Sequence, residues 1–367
     1  MFLSMEDREN MNARERFLRT LRFQEVDRVF LLPQWLWGET VQRWHKEGMP
    51  EDVHINEFFG FDRYEVVPIN MGVIPLFEEK ILEEDSEYKT YITSYGAKIR
   101  ERRDNPELSM PEWLEYPIKD RKDWEEYKKR LNPDSPMRYP EWWEDYKKSV
   151  KGRTYPLGIN AGSFFGWQRN WMGLEKFSCT LYDDPGLVHD MCDYTADFAI
   201  KVIKRAVEEI ELDFALIWED MAMKNGPLIS PKLFREFMMP NYKKVTDFLR
   251  AHGIDIILVD SDGNNDELIP LWLEVGVNGL YPLEVAADTD AVALRKKYGK
   301  DLLLIGNIDK RELAKGKREI EKEVKEKVPY LLSQGGYIPF VDHSVPPDVS
   351  FENFTYYLEM IKKIGSA

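Results

Sequence analysis

The chain has 367 residues, 43% of them hydrophobic and 13% aromatic, with a formal net charge of −15. That apolar fraction supplies a large buried core and excludes a disordered chain. The acidic balance excludes a nucleic-acid-coating surface and adhesion to an anionic membrane, while leaving room for a local anion site.

The opening MFLSMEDREN carries no apolar signal segment, and no stretch approaches the run of about 18 apolar residues that a membrane span needs, so a cytoplasmic protein is expected. Residues 12–23 place Phe17, Leu18 and Leu21 on one side of a helix. Residues 29–33 (VFLLP) read as a short buried strand that opens into the aromatic loop Gln34-Trp35-Leu36-Trp37-Gly38, and a second helix runs to about Lys46. A further strand, YEVVP at residues 64–68, leads to Asn70.

Residues 76–150 change character. Two alternating segments around Gly96 predict an antiparallel hairpin. After it, Pro106, Pro111, Pro117, Pro133, Pro136 and Pro140 alternate with charge and with Trp113, Trp124, Trp142 and Trp143. Such a Pro- and Trp-rich insertion suits a cap over a site; a surface excursion packing its own tryptophans is the plainer alternative.

From residue 155 the pattern is regular. YPLGIN ends at Asn160 and passes into a glycine- and aromatic-rich loop holding Trp167, Arg169 and Trp171. A long helix over residues 184–210 follows, with Pro185 in its first turn. Cys192 falls on its apolar stripe, and both cysteines, Cys179 and Cys192, are expected in the core of a protein from a reducing compartment. Short apolar runs near residues 214, 256, 279, 302 and 337 then alternate with helix-length segments. With those near 29, 64 and 155 they make eight, which predicts an α/β fold, a single TIM-type (β/α)8 barrel across residues 1–367 with the hairpin and cap segment inserted at 76–150. An open doubly wound sheet is the alternative.

In such a barrel, ligands bind at the carboxyl ends of the strands. The residues standing there are Gln34, Asn70, Asn160, Glu219, Asp220, Asp260, Asp262, Glu284, Asn307, Asp309, Asp342 and His343. Asp260 and Asp262, two apart on an extended chain, project together. Strand ends and helix caps favour Asp and Asn in any case. Even so, Glu219, Asp220, Asp260, Asp262 and Glu284 gathered around one imidazole call for a divalent cation, a cationic ligand or raised pKa values. Carboxylates with an imidazole suit Zn²⁺, Mn²⁺ or a harder ion. A cationic substrate would instead be held by the acids and by cation–π contacts from Trp35, Trp37, Trp167 and Trp171.

Four stretches, RERFLRTLRFQEVDRV, ALIWEDMAMKNGPLISPKLFREFMMPNYKKV, LLLIGNID and GGYIPFVDHSVPPDVSFENFTYYLEM, resemble the uroporphyrinogen decarboxylase superfamily, which includes decarboxylases and zinc methyltransferases serving corrinoid proteins. The resemblance implies the same barrel with its site at the carboxyl rim. The arginine-rich loop that grips the tetrapyrrole in the decarboxylases is matched here by Pro33-Gln34-Trp35-Leu36-Trp37-Gly38, which has no arginine. Their essential aspartate corresponds to Asn70, their tyrosine falls near Arg169 and their serine near Asp220, and only their late histidine is kept, as His343. The His-x-Cys ligand pair of the methyltransferases is matched by Asp260-Ser261-Asp262.

The resemblance therefore implies a methyltransferase-like enzyme moving a methyl group between a small methylated compound and a partner corrinoid protein. Its expected metal ligands, with zinc preferred, are Asp260, Asp262, His343 and Glu219. His343, Asp220 and Asn70 are the expected catalytic residues, and Gln34, Trp35, Trp37, Asn160, Trp167, Arg169 and Tyr281 the expected substrate contacts. A decarboxylase for a less acidic substrate and a non-catalytic binding protein are the alternatives, and a homodimer is compatible with all three.

Overall fold

The computed structural model describes residues 11–104 and 110–366; the opening decapeptide and Pro106 lie outside the described residues. Seven strands form one parallel sheet: β1 (Glu65–Val66), β6 (Leu157–Asn160), β7 (Phe214–Trp218), β10 (Ile257–Asp260), β11 (Gly279–Leu283), β12 (Leu303–Ile308) and β13 (Tyr337–Val341), hydrogen-bonded in that order. Most are apolar runs buried on both faces, as a parallel sheet covered by crossover helices requires.

The sheet curls. Its inner face gathers Phe214, Ile256, Leu258, Tyr281, Leu303, Ile305, Ile338 and Phe340 with Phe17 of the helix Ala13–Leu21 and Phe30. Its outer face packs against the helices, the longest being Pro185–Glu209, which starts with Asp184 capping Leu187 N and with Pro185 in its first turn.

The eighth expected strand is not part of this ladder. Residues 29–33 pair with no strand, and side chains together with isolated backbone bonds hold them. Asp62 Oδ2 accepts from Leu31 N at 2.8 Å, while Asp62 N donates to Leu31 O at 2.8 Å. The Asp62 carboxylate also takes Arg16 Nη1 at 2.9 Å and Arg28 Nη2 at 2.7 Å, with Arg16 and Asp62 buried. On the opposite side Gln34 Oε1 accepts from Val341 N at 2.9 Å, and Leu36 bridges Val345 in parallel. Proline at position 33 has no N–H to give a ladder, and the buried Asp62, itself held by Arg16, supplies the acceptor for Leu31 N.

The expected hairpin is the centre of a second, antiparallel sheet of four strands, β2 (Lys80–Glu84), β3 (Tyr88–Ile92), β4 (Lys98–Arg102) and β5 (Glu112–Glu115). A two-stranded ribbon, β8 (Ala222–Met223) with β9 (Gly226–Pro227), stands beside β7. Within residues 76–150, Trp124 and Trp143 are buried, and their indole N–H groups donate to Asp190 at 2.6 Å and Glu209 at 2.7 Å on the long helix. Trp113 and Trp142 stay exposed. Cys192 is buried as expected, but Cys179 is exposed on the helix Leu174–Asp183, because its neighbours Phe177 and Leu181 take that helix's buried side.

Removing the Asp62 carboxylate leaves Arg16 buried without its partner and Leu31 N without an acceptor. Asp62→Ala is expected to lower stability by about 3–5 kcal/mol in urea titrations, whereas the exposed pair Arg63–Glu65 is expected to give under 1 kcal/mol when Arg63 is replaced by Ala.

Candidate active site

Strand alternation decides which acids face the barrel mouth. Phe214, Leu216 and Asp260 belong to the inner face, and Trp218, Asp260 and Tyr281 stand in register on three neighbouring strands. After β7 the chain bends: Glu219 N donates to Asp260 O at 2.8 Å, and Asp220 takes a left-handed backbone with φ 44°. That conformation is uncommon for a residue with a side chain and is sustained only where the surroundings demand it. The bend sends two adjacent carboxylates in opposite directions.

Glu219 is fully buried and faces the glycine-rich loop. Its oxygens accept from Phe164 N and Phe165 N at 2.8 Å, Gly166 N at 2.9 Å, Ser163 Oγ at 3.0 Å and Tyr242 Oη at 2.5 Å. Both oxygens are thereby committed, so Glu219 braces a loop, and it drops out of the expected ligand set.

Asp220 takes its place. One oxygen from each of Asp220, Asp260 and Asp262 lies within 4.8 Å of the other two. Burial and the neighbouring Asp262 push Asp220 up to about 6. Burial, then Asp220 and Asp262, push Asp260 well above the usual carboxylate range. Gly263, with φ 81°, turns the loop behind Asp262; a Cβ there would sit 2.5 Å from Ala222 O.

His343 stands outside the group of three carboxylates and touches one of them. Its Nε2 lies 3.2 Å from Asp262 Oδ2, and this hydrogen bond raises its pKa against the opposing effect of burial. The ring also meets Trp35 edge-on at 6.1 Å, and Trp35 in turn packs against Tyr281 at 5.9 Å and Phe340 at 5.3 Å. Tyr281 is pushed up by burial and by Asp260 beside it. Arg169 Nη1 donates to Asp220 O at 2.6 Å, Nη2 lies 3.9 Å from Asp220 Oδ2, and the guanidinium stands 5.5 Å from the centre of the Trp218 ring.

The remaining expected residues lie elsewhere. Gln34 spends both ends of its amide on backbone, Val341 N and Leu32 O. Trp37 is exposed at the start of the helix Gly38–Lys46. Asn70 accepts from Gly72 N at 2.8 Å in its own turn, and no hydrogen bond joins it to the acids. Asn160 and Trp167 line a separate cavity with Trp218. Glu284 takes Gly263 N at 3.1 Å, Asp342 takes Val285 N and Lys310 N, Asp309 caps the helix Lys310–Leu313, and Asn307 ties Leu283 O, Thr289 O and Ala291 N together.

Two contributors escaped sequence reading. Trp218 is the last residue of an apolar strand and looks like core, and only its register with Asp260 shows that it faces the mouth. Tyr64, stacked on Phe214 at 5.1 Å, is pushed up by burial and by Asp260, and it precedes a two-residue strand that gives no pattern to follow.

The raised Asp220 fixes a pH dependence. Below its ordinary value of 3.8 the group is protonated both folded and unfolded; between there and about 6 only the folded chain keeps the proton. Its contribution to stability therefore falls as pH rises through that window. In chelator-treated, metal-free protein, Asp220→Asn is expected to match the parent near pH 4 and to exceed it by about 2 kcal/mol at pH 7.5 in urea titrations run across pH.

Three comparisons bear on this arrangement. The family model described as uroporphyrinogen decarboxylase (URO-D) matches residues 104–364. A uroporphyrinogen decarboxylase of Hydrogenovibrio crunogenus is 22% identical over 195 residues, covering 52% of this chain and 52% of that protein. One from Legionella pneumophila is 27% identical over 144 residues, covering 38% of this chain and 39% of that protein. The chain thus matches about half the length, or less, of these curated relatives. Among solved structures, a methyltransferase from Methanosarcina mazei superposes with a TM-score of 0.61 at 16% identity, over 96% of this chain and 99% of that one, a likeness of fold.

Proposed function

We propose, starting from the fact that the chain belongs to the uroporphyrinogen decarboxylase family, that it is a methyltransferase-like enzyme taking a methyl group from a small methylated compound to a partner corrinoid protein. The observation that carries this reading is the meeting of Asp220, Asp260 and Asp262 at the mouth with so little opposing positive charge. Arg169 is the guanidinium beside them, and it is engaged with Asp220. A polycarboxylate such as uroporphyrinogen would be repelled there.

The three acids fit a divalent cation. Their oxygens are close enough to surround one, and a cation would relieve the repulsion that raises Asp220 and Asp260. The set is one of hard oxygen donors: Cys192 Sγ is spent 3.6 Å from Phe164 O, and Cys179 is exposed on an outer helix. Zn²⁺, Mn²⁺ or a harder ion suits such ligands. When bound it would supply a Lewis acid to the atom that carries the methyl group. His343 orients Asp262 through its Nε2 and, once protonated, holds a proton ready for the leaving group. Arg169 fixes the strained turn at Asp220, and Trp35 and Tyr281 close the inner side against water. In this reading the barrel is the closed eight-element form, with residues 29–33 as the eighth stave, and residues 76–150 cap its mouth.

A decarboxylase for a less acidic substrate is the second reading. The names of the curated relatives favour it, and so does an Asp220 at about 6, suited to hand a proton to a carbanion.

Elemental analysis of freshly purified protein is expected to find about one divalent ion per chain, lost in Asp262→Ala. Methyl transfer to cob(I)alamin is expected from a panel of methoxy and methylamine compounds. Absence of both metal and methyl transfer would refute the first reading, and carbon dioxide release that survives chelators would establish the second.

A further inference from the structure

Two cations open the helix Lys310–Leu313 after β12, and they turn to different partners. Arg311 is spent on the cap Asp309, Nη2 to Oδ2 at 2.7 Å, and its side chain stays 55% exposed. Lys310 is 20% exposed and stands between two other carboxylates, with Nζ 3.8 Å from Glu284 Oε1 and 3.8 Å from Asp342 Oδ1. At that separation the ammonium is hydrogen-bonded to neither and balances the charge of both.

Each of these carboxylates holds backbone at the mouth. Asp342 is fully buried; its Oδ2 accepts from Val285 N at 3.1 Å and its Oδ1 from Lys310 N at 3.0 Å, so the ends of β11, β12 and β13 meet on it. Burial pushes its carboxyl up, and Lys310 is the strongest influence drawing it back. Glu284, just past β11, accepts from Gly263 N at 3.1 Å through Oε2. Gly263 follows Asp262 in the chain, and Asp342 precedes His343.

Asp262 and His343 belong to the loops after β10 and β13, strands three places apart in the ladder. Neighbouring strands lie about 4.8 Å apart, so the sheet alone does not bring these two side chains to 3.2 Å. Their loops must cross the gap, and the supports of both loops converge on Lys310. Without the ammonium, Glu284 and Asp342 would add two unbalanced carboxylates to a mouth that already holds Asp220, Asp260 and Asp262. Their mutual repulsion would part the loop of Asp262 from the loop of His343.

We propose that Lys310 is a positioning residue for the pair Asp262–His343. By balancing Glu284 and Asp342 it holds the loops after β10 and β13 at the separation where Nε2 meets Oδ2. The role rests on the function proposed above, in which these two side chains act together at the mouth, and it requires no contact between Lys310 and substrate.

Nitrogen-15 NMR on the whole protein reads the contact directly, with labelled histidine and after chelator treatment, so that no paramagnetic ion broadens the signals. The parent is expected to show a hydrogen-bonded ring N–H that is assigned to His343 by its loss in His343→Gln. Lys310→Arg is expected to keep this resonance, and Lys310→Met and the milder Lys310→Gln to lose it. Glu284→Gln, which still offers Gly263 N an oxygen, is expected to restore it when added to either, because one carboxylate charge fewer leaves nothing for the ammonium to balance. Circular dichroism checks that each variant is folded. A role confined to stability would move the urea midpoint and leave the resonance in place. A parent without the resonance, a resonance unchanged in both Lys310→Met and Lys310→Gln, or one that Glu284→Gln fails to restore would each overturn the proposal. Where the parent transfers a methyl group to cob(I)alamin, Lys310→Met is expected to lower kcat about tenfold. The expected resonances in a protein that transfers no methyl group would keep the positioning role and sink the methyltransferase reading. Transfer at the parent rate by Lys310→Met would do the reverse.

Discussion

The acidic rim of this curled sheet depends on one buried carboxylate. Glu219 gathers three backbone N–H groups and two hydroxyls, fastening the loop before the helix Gly166–Met172 to the end of β7. Burial pushes the Glu219 carboxyl up, the five donors work against that rise, and an unmatched donor in that place would be costly. With Glu219 anchored outward, the following residue has little choice: Asp220 must cross into the mouth with a left-handed backbone. Arg169, carried on the fastened helix, then reaches Asp220 O. Loop, turn and acidic cluster are thus consequences of a single set of hydrogen bonds.

Most of the sheet was legible because apolar runs ending in Asp, Asn or Glu mark strands entering a polar rim, and that signal held for β6, β7 and β10 to β13. It failed at residues 29–33, whose apolar run is like the others. What differs there is long-range: Asp62, held in place by Arg16, and Gln34 supply hydrogen bonds that a ladder would have made, and no local pattern reveals such partners.

The site was legible in part. Asp260 and Asp262 converge with Asp220, and His343 reaches Asp262, all from strand ends more than a hundred residues apart in the extreme. Glu219 could have been set aside from the sequence: it has the parity of Ala215 and Ile217, which lie in the outer core, whereas Asp220 has the parity of Phe214 and Leu216. Gln34, Asn70 and Trp37 were placed by position after a strand, and position says nothing about which backbone groups an amide will satisfy. The aromatic cavity was hidden for another reason: its walls come from the inserted segment and the barrel together, and the pairing of Trp113 with Trp167 across it is a tertiary fact.

The first segment is held by side chains and a few isolated backbone bonds, whereas the junctions within the seven-stranded sheet are continuous backbone ladders. A backbone ladder survives replacement of one apolar residue by another, since each peptide unit brings its own donor and acceptor. A stitch made by a named aspartate and a named glutamine does not. Residues 29–33 therefore lean on a few named side chains, and a single codon change at Asp62 or Gln34 removes a bond that an apolar exchange in β7 leaves in place.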